Sequence, residues 1–240
     1  MWKTILSTNY KKFIQIVDKL NLHNCGEKSY QHIFIFHRGR DGDRIGHTEI
    51  MTIQELIEKA AELQISLSET QVKQLEQYAQ LLVEWNEKMN LTAITEHGEI
   101  LEKHFYDSIL PLGKGKIFGK VADVGTGAGF PGLVWKIVKP ELDVTLIEPT
   151  GKRCTFLEEV IHQLHLENIH VYNKRAEEQV KTDRELYDVV TARAVANLRV
   201  LSELCIPLVK VNGLFLAMKG MQGNEEAKEA EHATKVLGVE

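Results

Sequence analysis

Asp123, Gly125, Gly127, Gly129 and Gly132 lie in one short run, Lys120-Val121-Ala122-Asp123-Val124-Gly125-Thr126-Gly127-Ala128-Gly129-Phe130-Pro131-Gly132, and Glu148 follows a second apolar run, Val144-Thr145-Leu146-Ile147. An apolar strand that empties into a glycine-rich turn and then a helix is built to hold a nucleotide-like ligand. Glycines let the backbone take positive φ and approach a ligand that any Cβ would push away, and the helix start offers unpaired N–H groups. Glu148 stands where the acidic residue of a βαβ nucleotide fold accepts bonds from ribose hydroxyls.

Two cofactors compete for this loop. Gly127-Ala128-Gly129-Phe130-Pro131-Gly132 satisfies the dinucleotide pattern G-x-G-x-x-G with an acid downstream. Asp123 extends it to Asp-x-Gly-x-Gly-x-Gly, which resembles the first motif of S-adenosylmethionine (SAM)-dependent methyltransferases. A carboxylate at the strand tip suits the cationic aminoacyl end of SAM, whereas beside a pyrophosphate it would repel charge that nothing in the loop offsets. A glycine turn with no ligand is the remaining alternative.

The elements that must position these residues alternate along the second half of the chain. Strands are expected at 120–124, 143–147, 168–172, 187–191 and 213–218, with helices at 130–139, 151–164 and 195–210, the rhythm of a doubly wound parallel sheet. Ligands of such sheets sit at the carboxyl ends of the strands, where every motif residue falls. Ahead of the sheet, residues 51–115 read as a helical cap: Ile53, Leu56, Ile57, Ala60 and Ala61 recur at helix spacing, Ser68-x-x-Gln71 has capping-box form, and Leu75, Tyr78, Ala79, Leu82 and Trp85 share a side of a second helix. That helix is expected to stop near Asn90. A third starts near Gly98 and carries His104 and Asp107, and Pro111-Leu112-Gly113-Lys114-Gly115 ends the region. Residues 1–50 show no sustained period and read as an extension, possible either as an arm that docks or as sequence ahead of a start at Met51. Residues 116–240 form the ligand-binding domain, ending in a charged segment from Gly223 to Leu237 with no later pair of strands, so the sheet is expected to be short at its C-terminal end.

At 43% hydrophobic, 240 residues can bury a sizeable core. No apolar run reaches the length of a membrane span and the N-terminus lacks a signal-peptide core, so a cytoplasmic protein without a membrane partner is expected. Cys25, Cys154 and Cys205 lack the spacing of zinc sites or disulfide frameworks, and are expected as reduced thiols with no metal. The net charge of −5 argues against coating nucleic acid by bulk attraction but leaves room for a local basic rim.

Further phrases sharpen the reading. Leu82-Val83-Glu84-Trp85-Asn86-Glu87-Lys88-Met89-Asn90-Leu91-Thr92, His104-Phe105-Tyr106-Asp107-Ser108, Arg175-Ala176-Glu177 and Val190-Thr191-Ala192-Arg193-Ala194-Val195-Ala196 occur in order, and with the glycine loop they resemble the RsmG family, also called glucose-inhibited division protein B. The resemblance spans about residues 51–220 and leaves residues 1–50 outside it. It implies a Rossmann-like SAM-dependent methyltransferase that methylates N7 of a guanine in 16S ribosomal RNA of the small subunit; a monomer is expected. It also implies Gly125 and Phe130 in the cofactor loop, Ala176 and Glu177 beside the adenine, and Arg193 at the side shared by cofactor and RNA.

The residues agree in outline. Glu177 follows the third of these strands, where a carboxylate can accept adenine's exocyclic amine, though a solvated loop acid would look the same. Arg193 emerges at the ligand edge after the fourth, a fixed cation able to fork onto phosphate or the methionine carboxylate; a salt bridge with Asp123 or Asp188 is the competing reading. Asn86 and His104 are candidate RNA contacts, with a helix-ending Asn and a satisfied His as the alternatives. Lys152 and Arg153 open the helix after Glu148, where cations oppose the helix dipole, and so fit phosphate contacts or else a solvated face. Guanine N7 carries a free lone pair and no proton, so no general base is expected and Arg193 would act by positioning. The rival functions are an NAD-dependent oxidoreductase and a non-catalytic SAM- or RNA-binding module.

Overall fold

The computed structural model describes residues 32–37 (backbone), 50–193 and 197–219. The cap begins with α1 (Ile53–Glu62) and α2 (Glu69–Met89), each opened by a reciprocal capping box, Thr52 with Glu55 and Ser68 with Gln71. These pairs satisfy backbone donors that the first turn leaves unpaired. Asn90 ends α2 in the left-handed region, at φ 51°. The third cap helix is composite: α3 (His97–Ile100), a π-helical stretch from Leu101 to Tyr106, α4 (Asp107–Ile109) and a 3-10 turn over Leu110–Lys114.

The sheet is parallel throughout. Its strands are β1 (His32–His37), β2 (Lys120–Val124), β3 (Asp143–Ile147), β4 (Ile169–Tyr172), β5 (Tyr187–Arg193) and β6 (Val209–Lys219), in the order β1-β6-β5-β2-β3-β4. Between them run α5 (Gly132–Val138), α6 (Gly151–Gln163), α7 (Ala176–Asp183) and α8 (Leu198–Cys205). One face of the sheet packs against α5, α6 and the cap through Trp135, Phe156, Tyr78, Leu75 and Leu82. The other packs against α8 through Ala122, Val190, Phe215 and Leu201. Two separately covered faces are the doubly wound arrangement expected of these alternating elements.

The cap is pinned by polar side chains as well as by its apolar stripe. Gln71 Nε2 donates to the carbonyls of Ile137 and Val138, both at 2.9 Å, and Gln74 Nε2 donates to Leu164 O at 2.9 Å. These carbonyls close α5 and α6, so α2 satisfies acceptors that helix ends leave open. Trp135 Nε1 donates back to Ser108 O at 2.6 Å. The cap therefore sits at a defined place over the sheet.

The structure departs from expectation at four places. Helix α7 carries no periodic signal in the sequence, because Val180 is nearly its sole apolar residue and leaves no stripe. The helix expected over 195–210 holds only from Leu198 to Cys205, because Pro207 forces a 3-10 turn, and β6 then starts at Val209 rather than 213. β5 runs on to Arg193, beyond 191. The fourth is β1, inside the extension: His32–His37 lies parallel to β6, pairing His32 with Leu214 through His37 with Lys219. The segment from Gly223 to Leu237 and Cys25 lie outside the described residues. Among the described residues no helix is long and apolar enough to cross a membrane.

Candidate cofactor and substrate site

From β2 the chain moves outward through β3 to β4, and from β5 it moves the opposite way to β6, so strand order reverses between the neighbours β2 and β5. Parallel α/β sheets bind ligands at the carboxyl ends on either side of such a switch point. The glycine loop leaves β2 there, and Arg193 closes β5 beside it.

Asp123 is fully buried, and its Oδ2 accepts from Thr126 Oγ1 at 2.6 Å and from Gly132 N at 2.8 Å. The carboxylate thus ties both ends of the loop to the strand beneath it. Burial pushes its pKa up to about 6, against the opposing pull of these two hydrogen bonds and of the Arg193 charge. Its second oxygen, Oδ1, is buried with no hydrogen-bond partner among the described residues. Glu148 is buried too: Oε2 accepts from Gly127 N and Oε1 from Thr150 N, both at 2.9 Å, with Arg153 Nη1 3.8 Å from Oε1. Carboxylate oxygens have lone pairs beyond one bond each, so Glu148 can hold the loop and still accept from a ligand hydroxyl.

The glycines divide into two groups. Gly125, at φ 66°, donates its N–H to Ile147 O at 2.8 Å and bends the chain across to β3. Gly127, at φ 62°, has nothing within 4 Å of where a Cβ would stand, so backbone lies bare at this point. Gly129 and Gly132 instead face protein. A Cβ on Gly129 would strike Leu133 and the Tyr78 hydroxyl, and one on Gly132 would strike Leu146 and Asp123. Of these glycines, Gly127 leaves open space where a Cβ would stand, whereas Gly129 and Gly132 allow close packing within the protein.

Phe130 turns into the protein. Its ring stacks with His104 at 4.4 Å and Tyr78 at 5.4 Å between centroids, and Arg193 Cζ lies 4.9 Å from the ring centre. Arg193 Nη2 is 3.3 Å from His104 Nδ1, and Nη1 is 3.7 Å from Asp107 Oδ2. The salt bridge foreseen for Arg193 therefore goes to Asp107, while Asp188 takes Lys210 at 2.8 Å. Behind His104, Nε2 meets Thr92 Oγ1 at 2.9 Å, and Asn86 Oδ1 accepts from Thr92 N at 2.8 Å. Asn86 thereby closes the turn that follows α2.

The remaining candidates lie along the rim made by the helices after β3 and β4. Lys152 is exposed and Arg153 half-buried in the first turn of α6; Ala176 is buried and Glu177 exposed in the first turn of α7. Cys205 is buried in the core, where burial pushes its thiol pKa up. Tyr78 was legible only as a core aromatic, yet its hydroxyl donates to Ala128 O at 2.5 Å and so fastens the cap to the glycine loop. Burial raises its pKa well above the ordinary value. Helical spacing carries no signal for that bond, whereas Asp107, three residues after His104, could have been noticed as sharing its face.

These features fit a ligand with a cation and hydroxyl groups: a buried carboxylate oxygen with no partner among the described residues, a second buried carboxylate at the end of β3, and bare backbone at Gly127. The family model described as "rRNA small subunit methyltransferase G", GidB, matches residues 71–240. The "Ribosomal RNA small subunit methyltransferase G" of Staphylococcus epidermidis is 50% identical over 191 residues, 78% of this chain and 80% of that protein. The protein of the same name from Listeria monocytogenes serotype 4b is 52% identical over 185 residues, 74% of this chain and 76% of its own length. A solved putative caffeoyl-CoA O-methyltransferase from Staphylococcus aureus shares 18% identity at a TM-score of 0.44, covering 66% of this chain and 81% of that one. Matched by the family model over more than half its length, this chain belongs to the rRNA small subunit methyltransferase G family.

Proposed function

We propose that the protein transfers a methyl group from SAM to N7 of a guanine in 16S ribosomal RNA of the small subunit. The observation that carries the reading is the pair of buried carboxylates, Asp123 and Glu148, flanking bare backbone at Gly127 on the β2 side of the switch point. When bound, SAM supplies an electrophilic methyl on a sulfonium. Asp123 offers negative charge to the aminoacyl ammonium, Glu148 accepts from ribose hydroxyls, and Ala176 and Glu177 lie after β4 on the adenine side. An NAD pyrophosphate would instead meet the Asp123 carboxylate with no offsetting charge in the loop.

Guanine N7 needs no deprotonation, so this chain's work on the base is alignment. Arg193, braced on Phe130, presents a fixed cation at the β5 edge, and His104 stands beside it at the cap. Lys152 and Arg153 at the start of α6 offer charge to RNA phosphates. The partner proposed is the small ribosomal subunit or its 16S RNA, met by a monomer in the cytoplasm.

Thermal unfolding with and without ligand tests the cofactor assignment. SAM and its demethylated product raise the Tm in proportion to the logarithm of their concentration, and NAD leaves it unchanged. A shift with NAD and none with SAM would overturn it.

A further inference from the structure

One cluster joins the cap to the crevice without touching the glycine loop's own bracing. His104 and Asp107 stand three residues apart where the backbone passes from π-helical (Leu101–Tyr106) to α-helical (Asp107–Ile109). Such π segments are rare and gather at functional sites. Both side chains reach Arg193, at 3.3 Å and 3.7 Å.

A guanidinium only donates, so His104 Nδ1 accepts from Arg193 and the ring proton resides on Nε2. Thr92 Oγ1, 2.9 Å away, accepts that proton and also accepts from Ile94 N at 3.1 Å. Thr92 is itself held by Asn86 Oδ1. Hydrogen bonds thus run from the end of α2 through Thr92 and His104 to Arg193, with Asp107 on the same guanidinium. Both terminal nitrogens of Arg193 are turned to the cap, whereas Asp123 Oδ1 has no hydrogen-bond partner among the described residues.

We propose that Asp107, together with the Thr92–His104 pair, is a positioning residue that sets the plane of the Arg193 guanidinium towards the target guanine rather than the cofactor. This rests on the methyltransferase reading above. Guanine presents an acceptor at O6 beside N7, where adenine presents an amino donor. A guanidinium fixed on the cap side can donate to O6, leave N7 free to attack, and disfavour adenine. Asp107 touches no reacting atom in this scheme; it acts through Arg193.

The test compares wild type with Asp107→Asn, Asp107→Glu and Thr92→Val on small subunits from cells lacking the gene, alongside SAM affinity, Tm and 15N NMR of the Arg193 and His104 side chains. Asp107→Asn should lower kcat about 10- to 100-fold, with SAM affinity and Tm close to wild type, and Asp107→Glu should recover part of the loss. The NMR spectra should show His104 as the Nε2–H tautomer, and Arg193 Nη signals that are resolved in wild type but averaged in Asp107→Asn. Unchanged kcat, a SAM affinity falling in step with kcat, or an Nδ1–H tautomer would each overturn the proposal. Absence of methyl transfer by wild type would instead refute the function proposed above, and the NMR comparison would still decide whether Asp107 orients Arg193.

Discussion

Asp123 bears a cost in the folded protein that a bound cation would relieve. Burial raises its pKa from 3.8 to about 6, and a shift of that size corresponds to roughly 3 kcal/mol. A carboxyl whose folded pKa is raised binds its proton more tightly when folded, so its favourable contribution is complete below about pH 4 and is lost as pH rises through about 6. Asp123→Asn removes this dependence and keeps an oxygen for Thr126 and Gly132. Urea unfolding at pH 4.5 and pH 7 should therefore show wild type losing about 2 kcal/mol relative to Asp123→Asn over that interval; parallel behaviour of the two proteins would contradict the assignment. At this scale the placement of Asp123, Glu148 and Gly127 was legible, because each stands at the end of an apolar run or in the turn that follows it. Asp107 and Tyr78 were not. Their roles depend on Arg193 and on Ala128 O, partners that only tertiary folding brings near.

The glycine loop shows how one motif serves two physical purposes. Gly127 faces open space and Gly129 faces Leu133 and Tyr78, though both have positive φ, 62° and 103°. Gly129→Ala should accordingly destabilise the fold by several kcal/mol through overpacking in addition to backbone strain. Gly127→Ala should cost only about 1–2 kcal/mol in stability while weakening SAM binding through the added methyl. Chemical denaturation and calorimetric SAM titration of the two variants check this, and equal stability losses with unchanged SAM affinity for Gly127→Ala would refute the division. The elements that were legible had either an apolar run bounded by glycine or proline, as β2 and β3, or caps with an apolar stripe, as α2. Helix α7 has neither, and β1 is a six-residue run whose place beside β6 is set by pairing with a strand far along the chain.

Taken whole, the molecule is a parallel sheet with one face roofed by helices and a cap, and the two meet above the end of β5. Gln71, Gln74, Tyr78 and Trp135 fix the cap to α5, α6 and the glycine loop, while Asp107 and His104 reach across to Arg193. In the function proposed above, the base to be modified enters beside residues supplied by both parts, splayed from its loop as bases of single-stranded RNA commonly are. A net charge of −5 leaves long-range attraction weak, and Lys152 and Arg153, proposed above to meet RNA phosphates, stand in the first turn of α6. The central claim is tested most directly by incubating the full chain with SAM and small ribosomal subunits from cells lacking the gene, then mapping the product base by base. The account predicts one added methyl, on N7 of a single guanine of the 16S RNA. A methyl on a pyrimidine or an exocyclic amine, or none at all under conditions where SAM binds, would contradict it.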